Sequence, residues 1–423
     1  MTDSCPISYS ALGRRVAPTA IARLMSSALE NPRLLSLAVG FTDNATLPVE
    51  PFRSAVEALT RRAGSPEYLQ YGTNEGRPLL RAQIAERIAR AEGWPADRVA
   101  ADQILVGNGS QQILYLAAQV LCEPGDILLL DRPSYFVFLE MLQGLGIEVR
   151  TIPTAADGRF DLPALEEVLA RWRQSGELAR IRGVYFVSYF SNPSGRTLGE
   201  DEKRGLARVL AAQGVVVPVI EDAAYREMGF AGPSAVPSVL ALEEWAAFPR
   251  LYAGTLTKPF ATGLKIGYGC CTDETWRAKM LHAKAGQDFG SANLPQAVLE
   301  EVLGNGAFEA HLGLICAEYA RKMGVLHEAL LAGGLAEAGW RWRRPEGGLY
   351  LWLTAPAGFD LGGDGAFFRA CVEAGVLYVP GELCFGDAPE RNTARLSFGV
   401  LAETDLREAA RRFCTVAARH LGA

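Results

Sequence analysis

The sequence predicts an α/β protein: a larger unit built on a mostly parallel, doubly wound sheet, and a smaller α+β unit after it. Three observations carry this. Between residues 104 and 220, short apolar runs alternate with amphipathic stretches. The runs are continuously apolar, as strands covered on both faces are. After Lys258 the rhythm gives way to a long helical region and then to shorter, mixed pieces.

Taken in order, residues 104–106 read as a strand leading into a helix over 110–121. Residues 126–130 are a strand, 135–145 a helix, 148–152 a strand and 162–172 a helix. A strand over 183–190, a helix over 200–212 and a very apolar strand over 215–220 follow. Strands over 251–255 and 266–271 lie close together, ahead of a helical region from 275 to about 331 that is interrupted at Gly290 and Gly304–Gly306. The smaller unit is expected to hold strands at 348–353, 377–379 and 394–398, with helices at 366–374 and 406–421. The first 50 residues lack the strand–helix rhythm and are expected to pack on that unit. The expected division is therefore 1–50, 51–305 and 306–423.

Composition narrows the function. The 423 residues carry 42 Lys+Arg against 48 Asp+Glu and are 49% apolar. Such a chain can bury a core, so disorder is excluded, and the charge balance argues against a nucleic-acid footprint. No apolar run approaches the ~20 residues a membrane crossing needs. The first residues show no charged region followed by an apolar run, so no secretory signal is read and a cytoplasmic location is expected. Eight scattered cysteines with no CxxC pair read as reduced thiols, and four histidines without ligand spacing give no metal site.

Four segments carry chemistry. Gly107-Asn-Gly-Ser-Gln111 opens a helix after a strand, a turn that aims backbone N–H groups at an anion or simply caps a helix with Ser110. Glu221-Asp222 ends a buried strand, with Tyr225 three residues on; one acid there requires a cationic partner, unless Asp222 merely caps a helix. Lys258 ends an apolar strand, with Lys265 seven residues later; lysines near another cation become usable nucleophiles, whereas solvated loop lysines do not. Finally, Asn192-Pro-Ser-Gly195 follows a strand, and Arg395 lies inside another, where an arginine normally has a buried partner.

Together these segments resemble the fold-type I pyridoxal-phosphate enzymes, specifically the class I/II aminotransferases. The likeness runs from about Leu37 to Phe398 through GNGSQQ, DRPSYF, SNPSG, EDAAYREMGF, TLTKPFATGLKIGY, PEGGLYLWL and ARLSFG. With Tyr71-Gly-Thr-Asn-Glu-Gly76, it is most similar to the branch of 2-aminoadipate aminotransferases and MocR-type regulators. The resemblance implies pyridoxal 5′-phosphate bound through a Schiff base to Lys258, with Asp222 on the pyridine nitrogen. It implies Asn192 and Tyr225 on the phenolic oxygen, Tyr135 stacked on the ring, and Gly109, Ser110, Gln111, Thr255, Thr257 and Lys265 around the phosphate. Tyr71 would reach the phosphate of a neighbouring subunit, hence a homodimer. Arg395 would grip the substrate α-carboxylate, supported by Gly40 and Asn192.

The implied activity is ping-pong transfer of an amino group between an α-amino acid and a 2-oxo acid. A lyase or decarboxylase of the same fold, or a non-catalytic ligand sensor, are the rival expectations. Three places depart from the family's commonest pattern: Lys265 where Arg is usual, Thr257 where Ser is usual, and the segment Gly40-Phe-Thr-Asp-Asn-Ala-Thr-Leu-Pro48. On the substrate side chain, Arg14, Arg15 and Arg23 could read an acidic group or be solvated helix-face residues, whereas Phe41, Tyr71 and Leu294 could line an apolar pocket.

Overall fold

The computed structural model describes residues 7–18, 33–62 and 66–421. A short helix α1 (Ala11–Arg15) and strand β1 (Leu35–Ser36) precede the larger unit, which opens with α2 (Val49–Arg61) and α3 (Pro78–Ala91). The strand–helix repeat then runs β2 (Ile104–Asn108), α4 (Gly109–Leu121), β3 (Ile127–Leu130), α5 (Phe136–Leu145), β4 (Glu148–Thr151), α6 (Leu162–Ser175), β5 (Ile181–Val187), α7 (Glu200–Ala212) and β6 (Val219–Asp222). Strands β7 (Arg250–Thr255) and β8 (Ile266–Cys271) complete a seven-stranded sheet of order β2-β8-β7-β6-β5-β3-β4. Only β8 runs antiparallel to its neighbours. The central strands are wholly buried, and separate apolar clusters cover the two faces.

Three helices follow, α8 (Glu274–Asp288), α9 (Asn293–Gly304) and α10 (Ala307–Ala332). Gly290 (φ +114°) and Gly306 (φ +78°) stand at the breaks between them, in backbone conformations that admit glycine readily. The remaining elements are β9 (Arg341–Trp342), β10 (Tyr350–Thr354), α11 (Ala366–Glu373), β11 (Val376–Leu377), β12 (Val379–Pro380), β13 (Thr393–Ser397) and α12 (Glu403–Leu421). They form an antiparallel sheet of order β12-β13-β10-β9. Strand β1 pairs in parallel with β11, and Leu37 continues the contact by donating its N–H to Leu377 O at 2.8 Å, while its carbonyl accepts Ser397 N of β13 at 2.6 Å. No described helix is long and apolar enough to cross a membrane.

Two expected strands differ from what forms. The run over 215–220 pairs only from Val219 onward: Val215 N instead closes the end of α7 on Leu210 O at 2.8 Å, and Pro218 has no N–H to give a ladder. Glu221 and Asp222 end the strand, as expected. The strand expected over 183–190 begins at Ile181 and ends at Val187, so Ser188 to Asn192 form the loop that leaves the sheet.

Candidate active site

At the carboxyl ends of β5, β6 and β7, beside the start of α4, lies a cavity of about 370 Å³. Gly109, Ser110, Gln111, Tyr135, Asn192, Asp222, Tyr225, Thr255, Thr257, Lys258 and Lys265 all line it. Residues far apart in sequence, Gly109 and Lys265 among them, thus meet at one sheet edge, where open α/β sheets bind ligands.

The two acids of β6 face opposite sides. Glu221 is fully buried and takes Lys203 Nζ at 2.7 Å, with further bonds from Ser188 Oγ and Val239 N. Asp222 faces the cavity and has no cation within ion-pair distance among the described residues. Its carboxylate accepts Tyr185 Oη at 3.0 Å and Ala224 N at 3.0 Å. Burial pushes its carboxyl up to about 6, although those two bonds favour the charged form. The required cationic partner therefore belongs to Glu221 and not to Asp222.

Lys258 follows β7, and its Nζ donates to Gly40 O at 2.6 Å. Burial lowers its pKa; Arg395 and Lys265 push the same way, against an opposing contribution from Tyr350. An amine so placed is more readily neutral and nucleophilic. Around it, Thr255 and Thr257 hydroxyls both donate to Ile266 O, at 3.2 and 3.1 Å, which fixes them at the cavity wall. Lys265 adopts a left-handed conformation (φ +57°), and the α4 N-terminus lies against β8. Backbone N–H groups, hydroxyls and an ammonium thereby converge on one end of the cavity, as an anion site requires.

Arg395, on β13, is buried beside this cavity. It donates to Asn192 Oδ1 at 2.8 Å and to Ala38 O at 2.5 Å, and its guanidinium lies 4.3 Å from the Tyr350 ring centre and 5.1 Å from that of Phe136. It has no carboxylate partner among the described residues, and its Nε lacks any hydrogen bond. Tyr350 Oη in turn meets Tyr225 Oη at 3.2 Å, so one hydroxyl pair links the surroundings of Arg395 to the cavity wall.

Other expectations fall elsewhere. Tyr71 is 81% exposed, outside the cavity, with its ring edge-on to the exposed Phe289. Arg15 donates to Gly144 O and Leu145 O at the far end of α5, and Arg14 to Tyr9 O, so neither lines the cavity. Arg23 lies outside the described residues. Phe41 does line the cavity, but Leu294 does not. Tyr185, Tyr350 and Asp131 were not singled out from sequence. Asp131 is buried, takes Ser134 Oγ at 2.5 Å and Val187 N at 2.9 Å, and is pushed up to about 7 mainly by burial. Tyr350, Asp131 and Ser134 do stand inside segments that carry the family likeness; Tyr185 sits in an apolar strand that offers no such signal.

The family model for aminotransferase class I and II matches residues 32–413. The chain is a class I/II aminotransferase. It is 32% identical over 412 residues to the 2-aminoadipate transaminase of Thermus thermophilus, covering 96% of each chain. It is 29% identical to aromatic-amino-acid aminotransferase 1 of Thermococcus litoralis, over 96% of this chain and 92% of that one. Among solved structures it resembles the α-aminoadipate aminotransferase of Thermus thermophilus complexed with N-(5′-phosphopyridoxyl)-L-leucine, with a TM-score of 0.83, 30% identity and 98% of each chain covered. The cofactor of this aminotransferase is pyridoxal phosphate. The cavity fits it: a phosphate finds the converging donors at the α4 end, a pyridinium finds a buried carboxylate without a cation, and an aldehyde finds a lysine of lowered pKa.

Proposed function

We propose that the aminotransferase moves an amino group between an α-amino acid and a 2-oxo acid by a ping-pong mechanism in which one cavity serves both substrates in turn. The observation that carries this is a pair of unmet charges flanking Lys258. Asp222 is a buried anion without a cation, and Arg395 is a buried cation without an anion. A pyridinium answers the first and a substrate α-carboxylate the second. An amino acid held between them has its Cα beside Lys258.

When bound, the cofactor supplies an electron sink for the charge that builds on Cα as its proton leaves. Asp222 keeps the pyridine nitrogen protonated, and the Tyr185 hydroxyl holds the carboxylate in place. Asn192 and Tyr225 bind the phenolic oxygen; Tyr135 covers the ring. Gly109, Ser110, Gln111, Thr255, Thr257 and Lys265 anchor the phosphate. Arg395, steadied by Asn192 and the carbonyl of Ala38, fixes the carboxylate and hence the direction of the Cα–H bond. Lys258 Nζ would carry the proton from Cα to C4′ of the cofactor in one half-reaction and from C4′ to Cα in the other. Tyr71 belongs to the neighbouring subunit's phosphate site, which makes the enzyme a homodimer; its exposed ring beside exposed Phe289 suits a covered interface.

The test is a visible absorption spectrum of the purified enzyme before and after single amino acids from a panel. Bleaching to the pyridoxamine form with particular amino acids is the expected result and names the donor. A cofactor band that no amino acid converts would refute transamination. Lys258→Ala is expected to retain cofactor yet lose turnover by several orders of magnitude. Near-normal turnover in that variant would remove Lys258 from its role.

A further inference from the structure

A second cavity, of about 470 Å³, opens between the two sheets and is larger than the cofactor cavity. Both include Val187 in their walls. Elements of the large sheet supply one side through Asp131–Pro133, the loop after β4 and the loop after β5; β9, β10 and Phe385 supply the other. At this size the space admits a small organic molecule, and cavities of a few hundred Å³ are where such ligands bind.

The polar groups around it divide into satisfied and unsatisfied ones. Arg132 is paired with Asp387 and Glu390, and Arg196 is bidentate on Glu202 at 2.7 and 2.9 Å. Of the acids, Glu390 holds Arg132, Asp157 accepts Arg159 N at 3.0 Å, and Asp131 holds Ser134 and Val187. Three of the remaining groups bear on the charge of an occupant. Arg341 and Arg343, flanking Trp342 on the edge of the smaller sheet, have no carboxylate partner among the described residues. Ser191, 3% exposed, has an Oγ with no hydrogen-bond partner among the described residues. A buried hydroxyl left unmet costs free energy until something reaches it. The groups without a protein partner are thus two solvent-exposed cations and a buried hydroxyl, a set that matches an anion and not a cation.

The apolar part of the wall is aromatic. Trp352 and Phe385 stand with ring centres 6.1 Å apart at a 58° tilt. They form an angled aromatic wall in the cavity that Arg341 and Arg343 also line, where a planar ligand can lie on one ring and meet the edge of the other. We propose that this cavity is a second ligand site, for a small organic anion with a planar apolar body: the anionic group toward Arg341 and Arg343, the ring against Trp352 and Phe385. An occupant presses on Val187, the wall shared with the cofactor cavity, and on Ser191, next in sequence to Asn192.

The site is tested by calorimetric titration of 2-naphthoate into the pyridoxal phosphate-loaded enzyme, in parallel with the double variant Arg341→Glu/Arg343→Glu. Both arginines are exposed and lie outside the cofactor cavity, so the variant is expected to keep the wild-type visible spectrum and kcat/KM. Its affinity for 2-naphthoate is expected to fall at least tenfold. Three results overturn the proposal: no saturable binding, equal affinity in the two proteins, or displacement of 2-naphthoate by an unreactive α-methyl amino acid. The last would place the probe on Arg395. The heat of binding is read without turnover, so failure of the catalytic reading and failure of this one are separable.

Discussion

Asp222 is a carboxylate that the fold keeps dry, hydrogen-bonds twice and leaves without a cation. In the cofactor-free protein its carboxyl titrates near 6, against an ordinary value of 3.8. Between those values the native state holds a proton that the unfolded chain has released. Stability therefore falls as pH rises from about 4 to about 6, and the cost persists above that range. Asn at the same position has no charge to desolvate. The cofactor-free Asp222→Asn variant is thus expected to gain on the wild type in Tm as pH rises through this window, by the equivalent of about 2–3 kcal/mol at most. On the role proposed for Asp222, the same substitution would remove the anion that keeps the ring protonated, so kcat is expected to fall at least a hundredfold. A Tm difference that does not change with pH would mean that burial does not raise Asp222. At this scale the sequence was informative about identity, and about pairing only through the family likeness, which implies that Asn192 supports Arg395. Glu221 and Asp222 adjoin on one strand, and only the alternation of strand faces decides which of them meets Lys203. Arg395 finds Asn192 across 203 positions, a contact that no local spacing reports.

The proposed phosphate cup depends on how closely one element can approach another. A Cβ at Gly267, on β8, would stand 2.1 Å from Ser110 N and 2.2 Å from the Gly109 carbonyl carbon. Both obstacles are backbone, so the strand and the α4 N-terminus would have to part. Gly267→Ala is expected to lower affinity for pyridoxal phosphate at least tenfold, measured by equilibrium dialysis, because the N–H groups that converge on the anion move apart. Unchanged affinity would show that the α4 end is not the phosphate site. Elements were legible where one signal dominated: the helix over 200–212 forms with those same bounds, and its first turn carries the acids that favour an N-terminus. They were displaced where signals competed. Residues 215–218 have the apolarity of a buried strand, but Pro218 and the closing turn of α7 hold them out of the ladder. Residues 376–380 divide into β11 and β12 and join different sheets, which apolarity alone does not distinguish.

The whole molecule presents aromatic surface that a lone chain leaves wet. Leu69, Tyr71 and Phe289 are each about 70% exposed or more, and two of them are in ring contact. Covered by a second copy, this patch would place Tyr71 beside a phosphate cup belonging to the other subunit. That arrangement makes each active site depend on both chains, and complementation distinguishes it from action within one chain. A Lys258→Ala subunit carries an intact Tyr71, and a Tyr71→Ala subunit carries an intact Lys258. If Tyr71 serves its neighbour, a mixed dimer holds one site with both residues intact and one with neither. Random reassembly of equal amounts makes half the dimers mixed, each with one good site of two, so activity is expected to rise to about a quarter of the wild type. If Tyr71 serves its own chain, every site in every dimer lacks one residue, and mixing restores nothing beyond the residual activity of Tyr71→Ala alone. Recovery after mixing therefore decides both the dimer and the residue that crosses it.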